Sequence, residues 1–370
     1  MLIRGARTGT RFLGLLPTSR CRIARRFCHH IGASQATTEG TEQYFEEHWF
    51  PAEQNDAALS PQEKLRLQER QEAQEMEMKK TGALSQPQKR PVLHQRSGLY
   101  LPPLSLSCLR LTVRQSTHHE VVAHAMDKGI NLFENSTLYP ESQHVLGEAL
   151  GKWPRDQFIV LTKIGFQSDL RPQGLRITGH NLDVEFLRHE LTQSLGRMGL
   201  ESTDFLLIQQ PEAAFSDQVN AERIYEQLEK IFSWCEEEVA NGRVSQYGVS
   251  SRAITASPDH PHFLCLDRIV EAAVRAKKDE DHHFSAVSVP FNLFEDKFLT
   301  MKNCSDGTQT VSEYAREKDL AVFTYRPLRD QTDIRFVEYP DHQGELVDHD
   351  VGNILLTYLG WVVKTRIFFG

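Results

Sequence analysis

GINLFENSTLYPES, residues 129–142, opens as a buried strand and closes as a reactive loop. Gly129 and Asn131 bracket Ile130, Leu132 and Phe133 extend the apolar run, and Glu134 and Tyr139 follow. A short apolar run bounded by turn residues reads as a core strand. A carboxylate and a phenol placed where such a strand ends suit a parallel barrel, which displays reactive groups on the loops leaving the carboxyl ends of its strands.

The flanking sequence repeats the pattern. From about residue 97 the runs LPPLSLSCLRL, NLFEN, FIVLTK, DFLLIQ, VSQYGVSS, FSAVSVPFN and LAVFTYRPL alternate with helical stretches such as HEVVAHAMDKG, SQHVLGEALGKW, VEFLRHELTQSLGRMGL and ERIYEQLEKIFSWCEEEVANGR. No GxGxxG loop follows the first run, so the alternation predicts an α/β fold of the (β/α)8 TIM-barrel type over residues 97–370 rather than an open dinucleotide-binding sheet. Glu134 closes the second strand, Tyr139 lies on its exit loop, Lys163 closes the third and Gln209 the fourth. These polar residues converge on one mouth.

Composition narrows the function. The chain has 370 residues, 39% hydrophobic and 25% charged, with a net charge of -8, which is ordinary globular composition and gives no electrostatic reason for a nucleic-acid partner. No apolar run reaches the ~18 residues that a membrane span requires. The cysteines, Cys21, Cys28, Cys108, Cys235, Cys265 and Cys304, form no CxxC pair, which argues against a disulfide scaffold or a zinc site. Adjacent side chains on a helix or strand point apart, so the doublets His29-His30, His118-His119 and His282-His283 do not predict a metal centre.

Arg4, Arg7, Arg11, Arg20, Arg22, Arg25 and Arg26 all precede the first acid, Glu39. That bias, interleaved with Leu, Ile, Phe and Ser, predicts a mitochondrial transit peptide over residues 1–34, processed near Phe27, and hence a matrix location. A basic tail held to an anionic surface is the alternative. Residues 35–96 read as a polar extension containing one helix from 61 to about 80, with Ser60 as N-cap, Pro61 at the first helical position and Glu63 closing a capping box. Its apolar residues form no continuous stripe, so it is expected to be a solvated extension, with a partner-binding arm as the alternative.

Several stretches now carry a resemblance. GINLFENSTLY, RDQFIVLTKIG, SLGRMGLESTDFLLIQQP, NGRVSQYGVSS, SVPFNLFE and TYRPL occur in the order, and close to the form, found in the aldo-keto reductases. The chain resembles that family from about residue 97 to 330, which implies a (β/α)8 barrel, NADP(H) as cofactor and a small carbonyl compound as substrate. Tyr139 stands where the family keeps its proton-donating phenol and Lys163 where it keeps the lysine that lowers that phenol's pKa. A phenol of ordinary pKa near 10 parts with its proton reluctantly, and an adjacent cation makes the exchange easier. Glu134 replaces the family's lysine-bonded aspartate, and Gln209 its usual histidine; the amide donates a hydrogen bond but carries no charge. On the cofactor side, Ser250 and Ser251 occupy the place of a serine-asparagine pair and Ser288 that of a glutamine, all of which hold the nicotinamide carboxamide. Asn292 follows in the matching FN, Tyr325 aligns with the aromatic under the nicotinamide ring, and Arg326 and Leu328 fall where the loop meets the pyrophosphate.

The family's adenosine 2′-phosphate grip has no counterpart after TYRPL. HDVGNILLTYLGWVV reads as a helix and TRIFFG as a short eighth strand, so the barrel is expected to be incomplete at strand 8. The resemblance therefore implies a weak NADP(H)-dependent carbonyl reductase. The alternative is a catalytically degenerate reductase-fold subunit of a mitochondrial complex, docking through its N-terminal arm or its C-terminal barrel edge.

Overall fold

The computed structural model describes residues 34–49, 91–326 apart from 110, 114, 116, 172–173, 216–220, 280 and 293–294, and the backbone of 367–369. Helix α1 (Thr38–Trp49) and a hairpin of β1 (Val92–His94) and β2 (Leu99–Leu101) come before the barrel. The barrel itself begins with β3 (Leu106–Ser107), α2 (Thr117–Asp127), β4 (Leu132–Ser136), α3 (Pro140–Leu150) and β5 (Ile159–Ile164). An antiparallel hairpin, β6 (Phe166–Arg171) with β7 (Gly174–His180), is inserted before α4 (Val184–Met198), β8 (Thr203–Gln209), α5 (Ala221–Ala240) and β9 (Val244–Ser250). Then follow α6 (Leu266–Lys277), β10 (Phe284–Pro290), the short α7 (Lys297–Thr300), the small pair β11 (Lys302–Cys304) and β12 (Gln309–Thr310), α8 (Val311–Glu317), β13 (Ala321–Tyr325) and β14 (Ile367–Phe369).

The main sheet runs β3-β4-β5-β8-β9-β10-β13-β14, in chain order and parallel at every step, the curled sheet of a (β/α)8 barrel. Among the described residues no pairing joins β14 back to β3. The expected eighth strand is present in TRIFFG, registering Phe323 against Phe368. Each apolar run predicted as a strand is one, although the first contributes only Leu106 and Ser107. Helix α4 begins at the predicted Val184 because Asp183 accepts the N–H groups of Glu185 and Phe186, and it stops where Gly199 turns left-handed at φ 66°.

Alternation along the strands separates two apolar clusters. Leu132, Leu161, Phe205, Leu207, Ala286 and Phe323 fill the barrel interior together with Leu99, Leu101 and Ala36. Their sequence neighbours Phe133, Val160, Leu206, Ile208, Val287 and Val322 belong instead to the cluster shared with the helices. The interior is narrow at Gly248, where an added Cβ would lie 1.9 Å from the Ala286 carbonyl oxygen.

The polar extension expected over 35–96 is corrected at both ends. Residues 34–49 dock on the barrel: Ala36 donates its N–H to Asp204 Oδ1 at 2.8 Å, Ser202 Oγ donates to the Ser34 carbonyl at 2.7 Å, and Tyr44 Oη donates to the Met126 carbonyl. Asp204 is itself buried and ion-paired with Arg155 at 2.8 Å. Tyr44 and Phe45, in an otherwise polar stretch, are both buried. The body of the expected presequence, the helix expected from 61 to about 80, Leu328, and the helix read in HDVGNILLTYLGWVV lie outside the described residues. Within the described residues, no helix is long and apolar enough to cross a membrane.

Two outcomes test this scaffold. Because Tyr44 is fully buried and hydrogen-bonded, Tyr44→Ala should lower unfolding stability by about 3 kcal/mol in a denaturant titration; a change near zero would show that the α1 segment adds nothing to the fold. Glu236 accepts from Tyr247 Oη, His283 N–H, His283 Nδ1 and Lys277 Nζ. Burial would raise its pKa, but the His283 and Lys277 contacts outweigh it and hold the carboxyl at about 2 against an ordinary 4.5. A depressed carboxyl stabilises the fold above its unfolded value and loses that contribution as pH falls from 4.5 toward 2. Glu236→Gln should flatten the denaturation midpoint across that window.

Candidate active site

The interior parity that packs leucines lower in the barrel places Glu134, Ser136, Lys163, Gln209, Ser250, Ser288 and Tyr325 on the same inward face nearer the strand ends. Lys163 Nζ donates to Glu134 Oε1 at 2.8 Å, with side-chain exposures of only 6% and 12%. The methylene by which Glu134 exceeds an aspartate is therefore absorbed, and the ion pair forms. On its other side Lys163 Nζ lies 5.1 Å from the centre of the Tyr325 ring. A buried ammonium held by one carboxylate and one aromatic face has little freedom to reorient.

Tyr139 lies on the loop leaving β4, whose backbone is tied to the strand that carries Lys163. Ser136 is the Cα partner of Lys163, and the Thr137 N–H donates to the Lys163 carbonyl at 3.1 Å. Tyr139 N–H then donates to the Ser136 carbonyl at 3.0 Å, and Pro140 starts α3. Tyr139 is half-buried at the N-cap of that helix, so the backbone from the strand to Tyr139 is short and braced at both ends.

Gln209, the last residue of β8, accepts a hydrogen bond from Ser136 Oγ on its Oε1 at 3.2 Å. Because that oxygen is the acceptor, the amide nitrogen is left with its two donors. Sequence reasoning missed the neighbour behind it. His180, the last residue of β7, meets the Gln209 carbonyl through Nε2 at 2.6 Å and stacks edge-on against Phe166. It fits because Gly165, at φ 130°, has no Cβ; one would lie 2.9 Å from His180 Nε2. Burial lowers the His180 pKa, and its bond to Gln209 only partly opposes this. A carbonyl can only accept, so the neutral ring carries its proton on Nε2. The hairpin that supplies His180 is an insertion whose weak alternation went unread in the sequence.

The cofactor-side predictions divide. Ser250 and Ser288 are buried at adjacent strand ends as registered Cα partners, and Ser288 Oγ has no hydrogen-bond partner. Ser251 is bonded within the protein: its N–H donates to the Ser288 carbonyl at 3.0 Å, and its hydroxyl donates to Glu212 Oε1 at 2.7 Å while accepting the Ala253 N–H. Asn292 likewise braces a loop, donating from Nδ2 to Glu295 Oε2 at 2.8 Å and to the Arg326 carbonyl at 3.3 Å. Burial pushes the Tyr325 phenol above its ordinary pKa, so it stays protonated. Arg326 follows it, exposed and left-handed at φ 62°. An orphaned buried hydroxyl on β10, with the Tyr325 ring on the adjacent strand β13, fits the head of a nicotinamide cofactor.

Fold and site define a (β/α)8 barrel with an apolar body and a polar, partly unsatisfied mouth. The sequence profile of the aldo/keto reductase family matches residues 109–332, and the chain belongs to that family, whose members are oxidoreductases that generally use NAD(P)H. Solved structures of similar fold include a glycerol dehydrogenase from Gluconobacter oxydans, with 16% identity, 77% of this chain and 86% of that one covered and a TM-score of 0.50. A thermostable aldo-keto reductase in complex with the inhibitor epalrestat gives 17% identity, coverage of 76% and 87%, and a TM-score of 0.50. No curated protein matches the sequence.

The buried ion pair makes a measurable claim. Glu134→Ala leaves the Lys163 ammonium, 6% exposed, without its carboxylate and should cost about 3 kcal/mol of unfolding stability. Adding Lys163→Met should recover part of that loss in the double mutant; equal stability of the single and double mutants would mean that the pair is not desolvated.

Proposed function

We propose that this chain reduces the carbonyl of a small aldehyde or ketone with NADP(H) in the mitochondrial matrix, slowly, with Tyr139 as the proton donor. One observation carries the reading: Lys163 Nζ is held at 2.8 Å by Glu134, and the loop that carries Tyr139 is bonded to the Lys163 carbonyl through the Thr137 N–H. The matrix location rests on the acid-free, arginine-rich residues before Glu39.

Bound at the mouth, the reduced nicotinamide supplies a hydride to the carbonyl carbon. The remaining roles belong to the protein. As negative charge grows on the carbonyl oxygen, Tyr139 transfers its proton there, and Lys163, kept in place by Glu134, stabilises the phenolate left behind. Gln209 directs an amide donor toward the same oxygen, its orientation set by Ser136. An amide stabilises the developing charge less than a charged donor does, which is the reason for slow turnover. The Tyr325 ring supplies an apolar face for the nicotinamide, and Arg326 a cation for the phosphates.

A second reading, a subunit of a mitochondrial assembly, draws on a different observation. Leu104, Leu109, Val113 and Val121 are exposed around β3, the strand at the sheet edge, with apolar surface that a partner would cover.

The two readings part in solution. Titrating NADPH into the full-length protein by calorimetry should give saturable binding, and Tyr139→Phe should leave that binding intact while cutting turnover of an activated aldehyde by about 10²- to 10⁴-fold. Absence of binding at millimolar NADPH would overturn the reductase reading and leave the subunit reading standing.

A further inference from the structure

Strand β8 runs out into a backbone conformation that its sequence does not favour. Gln210 is left-handed at φ 46°, although it carries a side chain and precedes Pro211, and each of these disfavours that conformation. Such a residue persists only where its surroundings hold it. Here the peptide between Gln209 and Gln210 is tied on both sides. The Gln210 N–H donates to the Ser250 carbonyl at 2.7 Å, and the Gln209 carbonyl accepts from His180 Nε2 at 2.6 Å. The Ala213 N–H adds a bond to the Gln210 carbonyl at 2.9 Å.

His180 comes from the inserted hairpin and is itself fixed. It pairs with Phe166 across β6 and β7 and packs edge-on against that ring, the centroids 4.7 Å apart. Just beyond it the Asn181 N–H donates to the Gly165 carbonyl at 2.8 Å, Gln227 Nε2 donates to the Leu182 carbonyl at 2.7 Å, and Asp183 caps α4. Both ends of the bond between His180 and Gln209 lie over Gly165, where an added Cβ would be 2.9 Å from Nε2 and 3.3 Å from the Gln209 carbonyl oxygen. His180 Nδ1 is buried without a partner among the described residues, so a charged ring would bury an unpaired N–H. Burial lowers the His180 pKa in keeping with this, and the neutral ring has one proton to give, on Nε2.

Ser136 Oγ orients the Gln209 side chain through Oε1, but a side chain aims only from where its own peptide stands. We propose that His180 is the positioning residue for Gln209: by donating to the Gln209 carbonyl it holds the left-handed turn after β8, and with it the amide that meets the substrate carbonyl. The inference rests on the reductase reading and adds to it a role for the inserted hairpin. His180 acts through Gln209 and touches neither substrate nor cofactor in this role. A displacement of about 1 Å in such a group costs on the order of 10²-fold in rate, so loss of the bond should appear in kcat and not in cofactor affinity.

Three substitutions in the full-length protein separate this role from packing. His180→Phe keeps a ring against Phe166 and removes the donor. It should lower kcat for NADPH oxidation with an activated aldehyde by about 30-fold while the NADPH dissociation constant changes by less than about 2-fold. His180→Gln carries an amide nitrogen about as far out as Nε2 and should return kcat to within about 3-fold of wild type; His180→Asn, whose nitrogen reaches only as far as Nδ1, should not. In a Gln209→Ala background His180→Phe should change kcat by less than about 2-fold, because the group it positions is gone.

A kcat within about 2-fold of wild type in His180→Phe overturns the proposal, as does an undiminished second loss when His180→Phe is added to Gln209→Ala. Should His180→Phe fail to fold, the other two variants decide: kcat in His180→Gln at least about 3-fold above that in His180→Asn supports the proposal, and a smaller difference overturns it. If the wild-type protein oxidises no NADPH, the reductase reading itself has failed and this inference falls with it; turnover that is indifferent to His180 sinks the inference alone.

Discussion

The two-residue alternation of parallel strands is the constraint on which this molecule depends. Along each strand every second side chain enters the barrel, so one register fixes both the packing and the site. In β5, Ile159 and Leu161 fill the interior and Lys163 continues the same face. In β8, Phe205 and Leu207 do so and Gln209 follows. A slip by one residue would bury Thr162 and Ile208 inside and send the ammonium and the amide outward among the helices. The apolar body therefore does more than stabilise; it aims the polar residues at the mouth.

Polar groups in a low-dielectric site persist only when they are paired or when a ligand pairs them. Lys163 and Glu134 satisfy one another and Gln209 is oriented by Ser136, so the groups assigned to the carbonyl are set before any substrate arrives. Ser288 Oγ on β10 and Glu212 Oε2 in the turn after β8 are buried without hydrogen-bond partners.

At the other end of the barrel the emphasis is reversed. Ala36, Leu99 and Leu101 join the interior cluster there, while Asp204 anchors Ala36, Arg155 and the Val160 N–H in one buried set of hydrogen bonds. Catalysis in such barrels belongs to the loops at the carboxyl ends of the strands, and stability to the opposite face. Segment 34–49 is thus a structural part of the barrel rather than an appendage, and residues at its start support the base on which β5 and β8 rest.

The sequence by itself determined the barrel, because each core strand announces itself by a local apolar run. The placement of Glu134, Lys163, Gln209, Ser250, Ser288 and Tyr325 on inward-facing positions near the strand ends was legible for that reason. The docking of α1 was not legible, since Tyr44 and Phe45 are two apolar side chains in an otherwise polar stretch, and only contact with Met126 and the barrel shows that they are core. Nor could the sequence reveal that Ser251 and Asn292 are engaged by Glu212 and Glu295, that His180 returns from an inserted hairpin to sit behind Gln209, or that Glu212 is buried. Those are contacts between residues far apart in the chain or folded back across a turn. Burial and pairing are properties of what the fold brings alongside a residue, and no local pattern encodes them.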